Sequence, residues 1–379
     1  MKILFVSMPS VHVIRWIENL KNTEYELYWF DVLGRGSLET FNSVQQFVNW
    51  KKRKVKPIKG EFFLYKKLPK LYSIIIPYLE KTANEALNRI ILEIQPDIIH
   101  SFEMQGCSYP ILKTMKKFST IPWIYSCWGN DLFYYKESSF HLRQIKKVLK
   151  RVNYIHTDCE RDYLLAKNLG FNGRHTGVIP GGTGYQIEKL IDLRLPFEER
   201  KIILIKGYEH TFGRALNVIK ALENMLDELQ KFQIVVFGAH QSIIDYVFDK
   251  KLPFKVNTRH KLKHDELLKL MGESLIYIGN NISDGMPNTL LEAIVMGAFP
   301  IQSNPGGVTG EIISNGKNGL LIEEPENIQA IQQIIQLVVN NNNLLQTAQN
   351  LNYDIALKRL DYDLNKKKII QIYKDILQE

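Results

Sequence analysis

The sequence predicts an α/β protein built from two doubly wound, Rossmann-like domains that face each other across a cleft. Three observations carry that expectation. Short apolar runs alternate with amphipathic stretches through the first half of the chain, and the same alternation restarts after residue 200. Between the two series the texture turns glycine-rich and charged. The length of 379 residues suits two domains, at about 100–200 residues each. Continuous apolar strands separated by helices imply a parallel sheet covered on both faces. Such sheets bind ligands beyond the carboxyl ends of their strands.

In the first half, strands are expected at Lys2–Ser7, Glu24–Phe30, Ile98–Ser101, Trp123–Ser126, Tyr154–His156 and Thr176–Ile179. Helical patterns lie between them, among them His12–Asn22, Pro77–Ile94 and His141–Val152. Residues 180–200 hold Gly181, Gly182 and Gly184 and then charged, Pro-containing sequence, the composition of an interdomain linker. The second series places strands at Ile202–Lys206, Gln233–Phe237, Phe254–Val256, Leu275–Gly279, Phe299–Gln302 and Gly319–Ile322. Its helices include Phe212–Leu229, His264–Met271, Pro287–Met296 and Glu326–Asn340. The domains are therefore expected over residues 1–190 and 191–360. The Lys-rich amphipathic helix 361–379 is expected to cross back onto the first domain.

Composition narrows the function classes. Hydrophobic residues make up 45% of the chain, enough for a core in each half, and charged residues 23%. Cys107, Cys127 and Cys159 are few, odd in number and widely spaced, which argues against a disulfide framework or a zinc site. A reducing compartment, the cytoplasm, fits them. Pro9 interrupts the N-terminal apolar run, so Ile3–Val6 reads as a buried strand rather than a signal peptide. No stretch reaches the ~18 apolar residues that a spanning helix needs. The net charge is +9, and residues 51–70 alone carry +8. That segment interleaves its cations with Phe62, Phe63, Leu64, Tyr65 and Leu68. Such a patch suits the inner face of an anionic membrane; the alternative is a solvated basic loop. No second basic stripe points to nucleic acid.

The stretch 282–307 is the most informative. A strand ends near Gly279, Ser283–Gly285 reads as a turn, and Pro287 suits the first position of a helix running to Met296. The N–H groups that open such a helix form an anion site. Glu292, about one and a half turns in, offers an acceptor-only carboxylate suited to two ribose hydroxyls. The segment resembles the signature of retaining glycosyltransferase family four, of GT-B fold. Asp284 and Glu292 occupy the two acidic positions of its E-x(7)-E pattern, and Ala293, Gly297, Pro300, Gly306 and Gly307 match the run that follows. Asp284 replaces the usual Glu and is one methylene shorter. The resemblance implies that Glu292 binds the donor ribose, and that Asp284 and the amides of Gly285, Met286, Pro287 and Asn288 face the donor sugar.

The segment 202–216 supplies a second element, a strand ending at Lys206-Gly207 and a loop carrying Arg214. Two fixed cations there can clamp a diphosphate; the alternative for Arg214 is a solvated helix residue. In the resembled family an Arg and a Lys after this strand do so, and Lys206 and Arg214 are the matches, with types exchanged. On the acceptor side, His12 follows the first strand where the family has a glycine-rich loop; it contacts the acceptor or simply caps or packs the helix. Trp128-Gly129-Asn130-Asp131 stands where the family has H-G-x-D, so Trp128 stacks where an imidazole would sit. Glu103 is a further acceptor-side candidate.

Asp361-Tyr362-Asp363 has D-x-D spacing but opens the last helix, where capping explains it. Neither a metal nor a cofactor is expected. The resemblance implies a hexosyltransferase-type enzyme, EC class 2.4, with retention at the anomeric carbon. Its donor is a nucleotide-diphosphate sugar and its acceptor a glycan or lipid-linked molecule, in bacterial surface-polysaccharide synthesis. The alternatives are a GT-B-fold sugar-nucleotide epimerase and a non-catalytic nucleotide-sugar-binding protein.

Overall fold

Runs of β-branched and aromatic residues become two parallel sheets. The computed structural model describes residues 1–41 and 43–378. Two compact units emerge. The first comprises Met1–Thr157, Tyr163–Gly177 and Ile370–Glu379, and the second Asp158–Asp162 and Val178–Ile369. The chain thus passes into the second unit near residue 178, ahead of the expected 190, after an early excursion at 158–162.

The first unit holds β1 (Lys2–Ser7), β2 (Glu26–Asp31), β3 (Gln45–Phe47), β4 (Ile98–Phe102), β5 (Trp123–Ser126), β6 (Tyr154–Thr157) and β7 (Arg174–Val178). Their order is β3-β2-β1-β4-β5-β6-β7, and β1 pairs parallel with both β2 and β4. Ile3, Leu4, Phe5 and Val6 are fully buried, as a strand covered on both faces requires. β3 was not expected from the sequence. Its three residues, Gln-Gln-Phe, carry no apolar run, and it forms because β2 offers it an edge.

Several helices start elsewhere than expected. Pro77 lies inside the Pro69–Leu79 helix, and a new helix runs Ala83–Ile94. A capping box decides that start: Thr82 Oγ1 accepts from Glu85 N–H, while Glu85 accepts from Thr82 N–H. His12–Asn22 contracts to Val11–Glu18, capped by Ser10, and His141–Val152 shifts to Ser139–Leu149.

The final helix is Tyr362–Leu377. From Ile370 onward it belongs to the first unit; its earlier turns belong to the second. Tyr373 anchors it in the first unit. Its buried hydroxyl bonds Trp16 Nε1 at 2.8 Å and His100 Nδ1 at 2.7 Å, and His100 Nε2 reaches Ser126 Oγ at 2.7 Å. At the other end, Asp361 Oδ1 caps Leu364 N–H at 2.9 Å, the role its place at a helix start implies.

The second unit holds β8 (Ile202–Lys206), β9 (Gln233–Ala239), β10 (Lys255–Thr258), β11 (Ser274–Gly279), β12 (Phe299–Ser303) and β13 (Leu320–Ile322). Their order is β10-β9-β8-β11-β12-β13. Within this unit the strand order is therefore 3-2-1-4-5-6, that of a dinucleotide-binding sheet. The stretch 180–200 is not a loose linker. Tyr185, Ile187 and Arg200 are buried, and a short helix forms at Ile187–Ile191. Gly181 is left-handed, at φ 68°, and a Cβ on it would stand 2.7 Å from Asn288 Oδ1. Its missing side chain lets this segment lie against the Asn288–Val295 helix.

In each sheet the order reverses beside a first strand, between β1 and β4 and between β8 and β11. Loops leaving the carboxyl ends of such neighbours run to opposite faces and leave a crevice.

Candidate active site

Lys206 is the last residue of β8, and Asp284 follows β11, its neighbour across the reversal. Lys206 Nζ stands 3.9 Å from Asp284 Oδ2 and 4.8 Å from the centre of the Tyr208 ring. Asp284 also accepts from Asn281 Nδ2 at 2.8 Å and from Gly285 N–H at 3.0 Å. Burial raises its pKa, and the Lys206 charge is the largest influence opposing that rise.

The loop after β8 is tied to the loop after β11. Ile282 N–H donates to Phe212 O at 2.8 Å, and Arg214 N–H to Asn280 O at 2.9 Å. The expected helix Phe212–Leu229 accordingly begins only at Ala215, because 212–214 is drawn into this pairing. Arg214 turns back on its own loop. It bonds Glu326 Oε1 at 2.8 Å and the carbonyls of His210 and Gly213. It is neither a solvated helix residue nor aimed at Lys206.

Other basic side chains gather instead. The Arg259 guanidinium lies 5.7 Å from the Tyr208 ring, His210 and His240 flank the same ring, and His240 Nδ1 bonds Glu209 O at 2.8 Å. His240 Nε2 is buried with no hydrogen-bond partner among the described residues. Burial lowers the His210 pKa, and the positive charges of Lys206, Arg259 and Arg214 lower it further. The carboxyl ends of β8, β9 and β10 thus share an electropositive field. Gly207 serves close packing there, since a Cβ on it would stand 2.8 Å from Ala239 Cα.

The helix after Asp284 runs Asn288–Val295. Pro287 occupies its cap position, with φ −68° and ψ 120°, one residue earlier than expected. The Met286 side chain is buried in the core, and its N–H donates to Asp158 Oδ2 at 3.0 Å. That amide serves the fold rather than facing outward. Glu292 is 4% exposed, and its Oε1 bonds His264 Nε2 at 2.8 Å. His264 opens the His264–Gly272 helix and is half-exposed, so it links the buried carboxylate to the surface.

The excursion 158–162 buttresses the same turn. Arg161 donates to Asp284 O at 2.8 Å and Pro305 O at 2.7 Å, and pairs with Asp162 at 2.7 Å. Glu311 accepts from the N–H groups of Glu160 and Arg161. Burial and the neighbouring Asp162 push Asp158 well above the usual carboxylate range. Asp158, Cys159 and Asp162 bring ligand atoms within 4.8 Å of one another. The Arg161 guanidinium supplies the positive charge in that cluster.

In the first unit, the acceptor-side candidates collect at the carboxyl ends of β1, β4 and β5. His12 is exposed, and its ring centre lies 5.3 Å from that of Trp128. Ser10, not His12, supplies the helix cap. Asp131 is a buried hub, accepting from Tyr125 Oη at 2.6 Å, Trp128 N–H at 3.0 Å and Met104 N–H at 3.1 Å. Glu103 adopts φ 69° and ψ 145°, a region a non-glycine residue rarely occupies. It accepts from the N–H groups of Gln105 and Gly106. Burial, and then the Asp131 charge, raise its pKa to about 7.

Residues 188–354 match the family model described as Glycosyl transferases group 1, and residues 2–158 match that described as Glycosyl transferase 4-like. The chain belongs to the group 1 glycosyltransferases. Solved structures agree on the GT-B fold. Sucrose-phosphate synthase from Thermosynechococcus elongatus superposes with a TM-score of 0.71 at 14% identity, covering 100% of this chain and 99% of that one. HepE from Anabaena, solved with UDP and glucose, gives 0.66 at 15%, covering 99% and 100%. A glycosyltransferase from Rickettsia africae gives 0.67 at 17%, covering 100% and 99%. No curated protein sequence matches the chain significantly.

Four features of this glycosyltransferase escaped the sequence reading. They are Arg259 and His240 beside Lys206, His264 on Glu292, Glu326 on Arg214, and the Asp158–Arg161 brace. Each partner lies at least 28 residues from the residue it serves, so no local spacing announces it. A histidine opening a helix and an arginine just past a strand were the only local signals.

Proposed function

We propose that this glycosyltransferase binds a nucleotide-diphosphate sugar at the β8–β11 switch point and transfers a hexosyl group, with retention, to a hydroxyl of a glycan or lipid-linked acceptor. The observation that carries the reading is the approach of Lys206 to Asp284, at 3.9 Å, amid the cations around Tyr208. A leaving diphosphate gains negative charge as the glycosidic bond breaks, and fixed cations stabilise that charge without reorganising. Lys206 and Arg259 take this role. Arg214 adds its field from behind the loop it braces. Asp284 orients the sugar, and Glu292, held by His264, takes the ribose by exchange with the imidazole.

The acceptor hydroxyl attacks from the side the diphosphate leaves, and its proton passes to the departing phosphate oxygen. His12, Trp128 and Glu103 form the acceptor-side set, with the indole as a stacking face for a sugar ring. Such a transferase fits the assembly of a surface polysaccharide.

A thermal-shift series with UDP, GDP, ADP and CMP, followed by the matching sugar nucleotides, tests the donor site. HepE was solved with UDP and with UDP-glucose, so uridine is the first base to try. Stabilisation by one nucleoside diphosphate, lost in Lys206→Met and Glu292→Ala, is expected. An unchanged shift in both variants removes the donor assignment. Acceptor-dependent release of nucleoside diphosphate then separates transfer from epimerisation or simple binding.

A further inference from the structure

Residues 55–79 hold a cluster of exposed apolar side chains. Two consecutive helices, Glu61–Lys67 and Pro69–Leu79, meet at Leu68. Phe62, Phe63, Tyr65, Leu68, Leu71, Ile74 and Tyr78 are all exposed, from 44% at Leu71 to 76% at Tyr78. Their only buried residue is Leu79. Helices of this length gain little from propensity alone, so a face this apolar calls for a covering phase.

The charge on the pair says which phase. Lys56, Lys59, Lys66, Lys67 and Lys70 are exposed, and none makes an ion pair among the described residues. Lys66 Nζ lies 4.6 Å from the Phe62 ring centre, so cation and aromatic ring share one surface. Glu61 is the only carboxylate in residues 55–79. It is consumed by Arg53 in a two-pronged pair at 2.7 and 2.8 Å and by Tyr72 Oη at 3.0 Å. The Arg53 pair, and then the Ile58 N–H, hold its carboxyl at about 2, well below the usual range.

The base of the pair is fixed. Lys54 N–H donates to Leu79 O at 2.7 Å and Lys81 N–H to Lys52 O at 2.9 Å, and Lys54 pairs with Glu85 at 2.7 Å. At its foot opens a cavity of about 450 Å³ whose lining includes Trp50, Lys52, Lys54, Lys81 and Arg89, with Glu85 and Glu93 as its acids. No helix among the described residues is long and apolar enough to cross a membrane. The pair therefore has the makings of an interfacial element that lies on a bilayer.

We propose that the 55–79 helical pair seats this protein on an anionic phospholipid bilayer. Phe62, Phe63, Tyr65, Ile74 and Tyr78 enter the acyl boundary, and Lys56, Lys59, Lys66, Lys67 and Lys70 pair with lipid phosphates. The inference goes beyond the transferase reading and deepens its acceptor side, where a lipid-linked substrate would be met. The binding is measured without donor or acceptor, so its failure and the failure of that reading are separate results.

The test is co-sedimentation of the full chain with vesicles of phosphatidylcholine alone and with about one third phosphatidylglycerol. Wild type is expected to pellet with the anionic vesicles and to be released by salt. Neutralisation of Lys66, Lys67 and Lys70 to Gln should weaken partitioning by about a hundredfold, from about fivefold per lysine. A Phe62→Ser, Phe63→Ser, Ile74→Ser variant should lose it too. Its side chains are exposed, so its melting temperature should match the wild type. Equal binding to both vesicle types overturns the proposal, as does full retention of binding in either variant. A wild type that stays in the supernatant also overturns it. If that protein dimerises and the serine variant does not, the face belongs to a second copy.

Discussion

Glutamine at position 103 removes one ionisation from the end of β4 and leaves the local shape nearly unchanged. Glu103 is held at a pKa of about 7, chiefly by burial and then by the Asp131 charge. In the unfolded chain a glutamate titrates near 4.3. The folded pKa is raised, so the folded state holds the proton more tightly. The resulting stability is fully present below about pH 4, and it is lost as pH climbs through 7. The interval between the two values corresponds to at most about 3.5 kcal/mol. Glu103→Gln cannot titrate, so wild-type minus variant stability should fall by up to that amount between about pH 4 and pH 8. The variant also loses one acceptor for the Gln105 and Gly106 amides, which offsets the curve without tilting it. Urea unfolding at about one-unit pH steps reads the slope directly. Other titrating groups are common to both proteins and cancel. A difference that stays flat with pH, within about 0.5 kcal/mol, would refute the reasoning that Glu103 is protonated near neutrality.

Arg161→Ala should loosen the 284–287 turn by removing the bonds to Asp284 O and Pro305 O. It should lower donor affinity and turnover together, with Arg161→Lys restoring part of the loss in steady-state kinetics; full activity in the alanine variant would dismiss the brace. Tyr373→Phe leaves Trp16 Nε1 and His100 Nδ1 without their shared partner. It should cost about 1–3 kcal/mol per stranded buried group, read by denaturant titration, and a neutral result would mean that the network re-pairs. Mild acid should destabilise the first unit. Burial lowers His156 to about 3 and His175 to about 4. Their contribution is present above the unfolded value near 6.5 and is lost as pH falls from there toward the folded values. Replacing both by Gln should flatten the acid limb of the stability curve, and an unaltered limb would reassign it to carboxylates.

Much of the architecture was legible because it is written in local periodicity. Ile3–Val6 and Ile202–Ile205 are unbroken apolar runs, the pattern of a strand covered on both faces. The acid at 284 and the carboxylate at 292 were visible through spacing along one turn and one helix. Less legible were elements whose existence depends on a neighbour. β3 is three residues long and forms on an edge supplied by β2. The start at Ala83 was readable in Thr82 and Glu85, but Pro77 drew the expectation away from it.

What the sequence determined by itself was the α/β alternation, the strand-loop-helix unit around Asp284, and the concentration of charge at residues 51–70. All three follow from residue types within a few turns of one another. What only the tertiary structure decided was how the charges are used. Arg214 is committed to Glu326, Glu292 to His264, and the 284–287 turn to Asp158 and Arg161. A side chain bonds whatever the fold brings within about 3 Å. Partners supplied by other strands and helices cannot be read from spacing, because sheet order, not sequence distance, sets which loops meet.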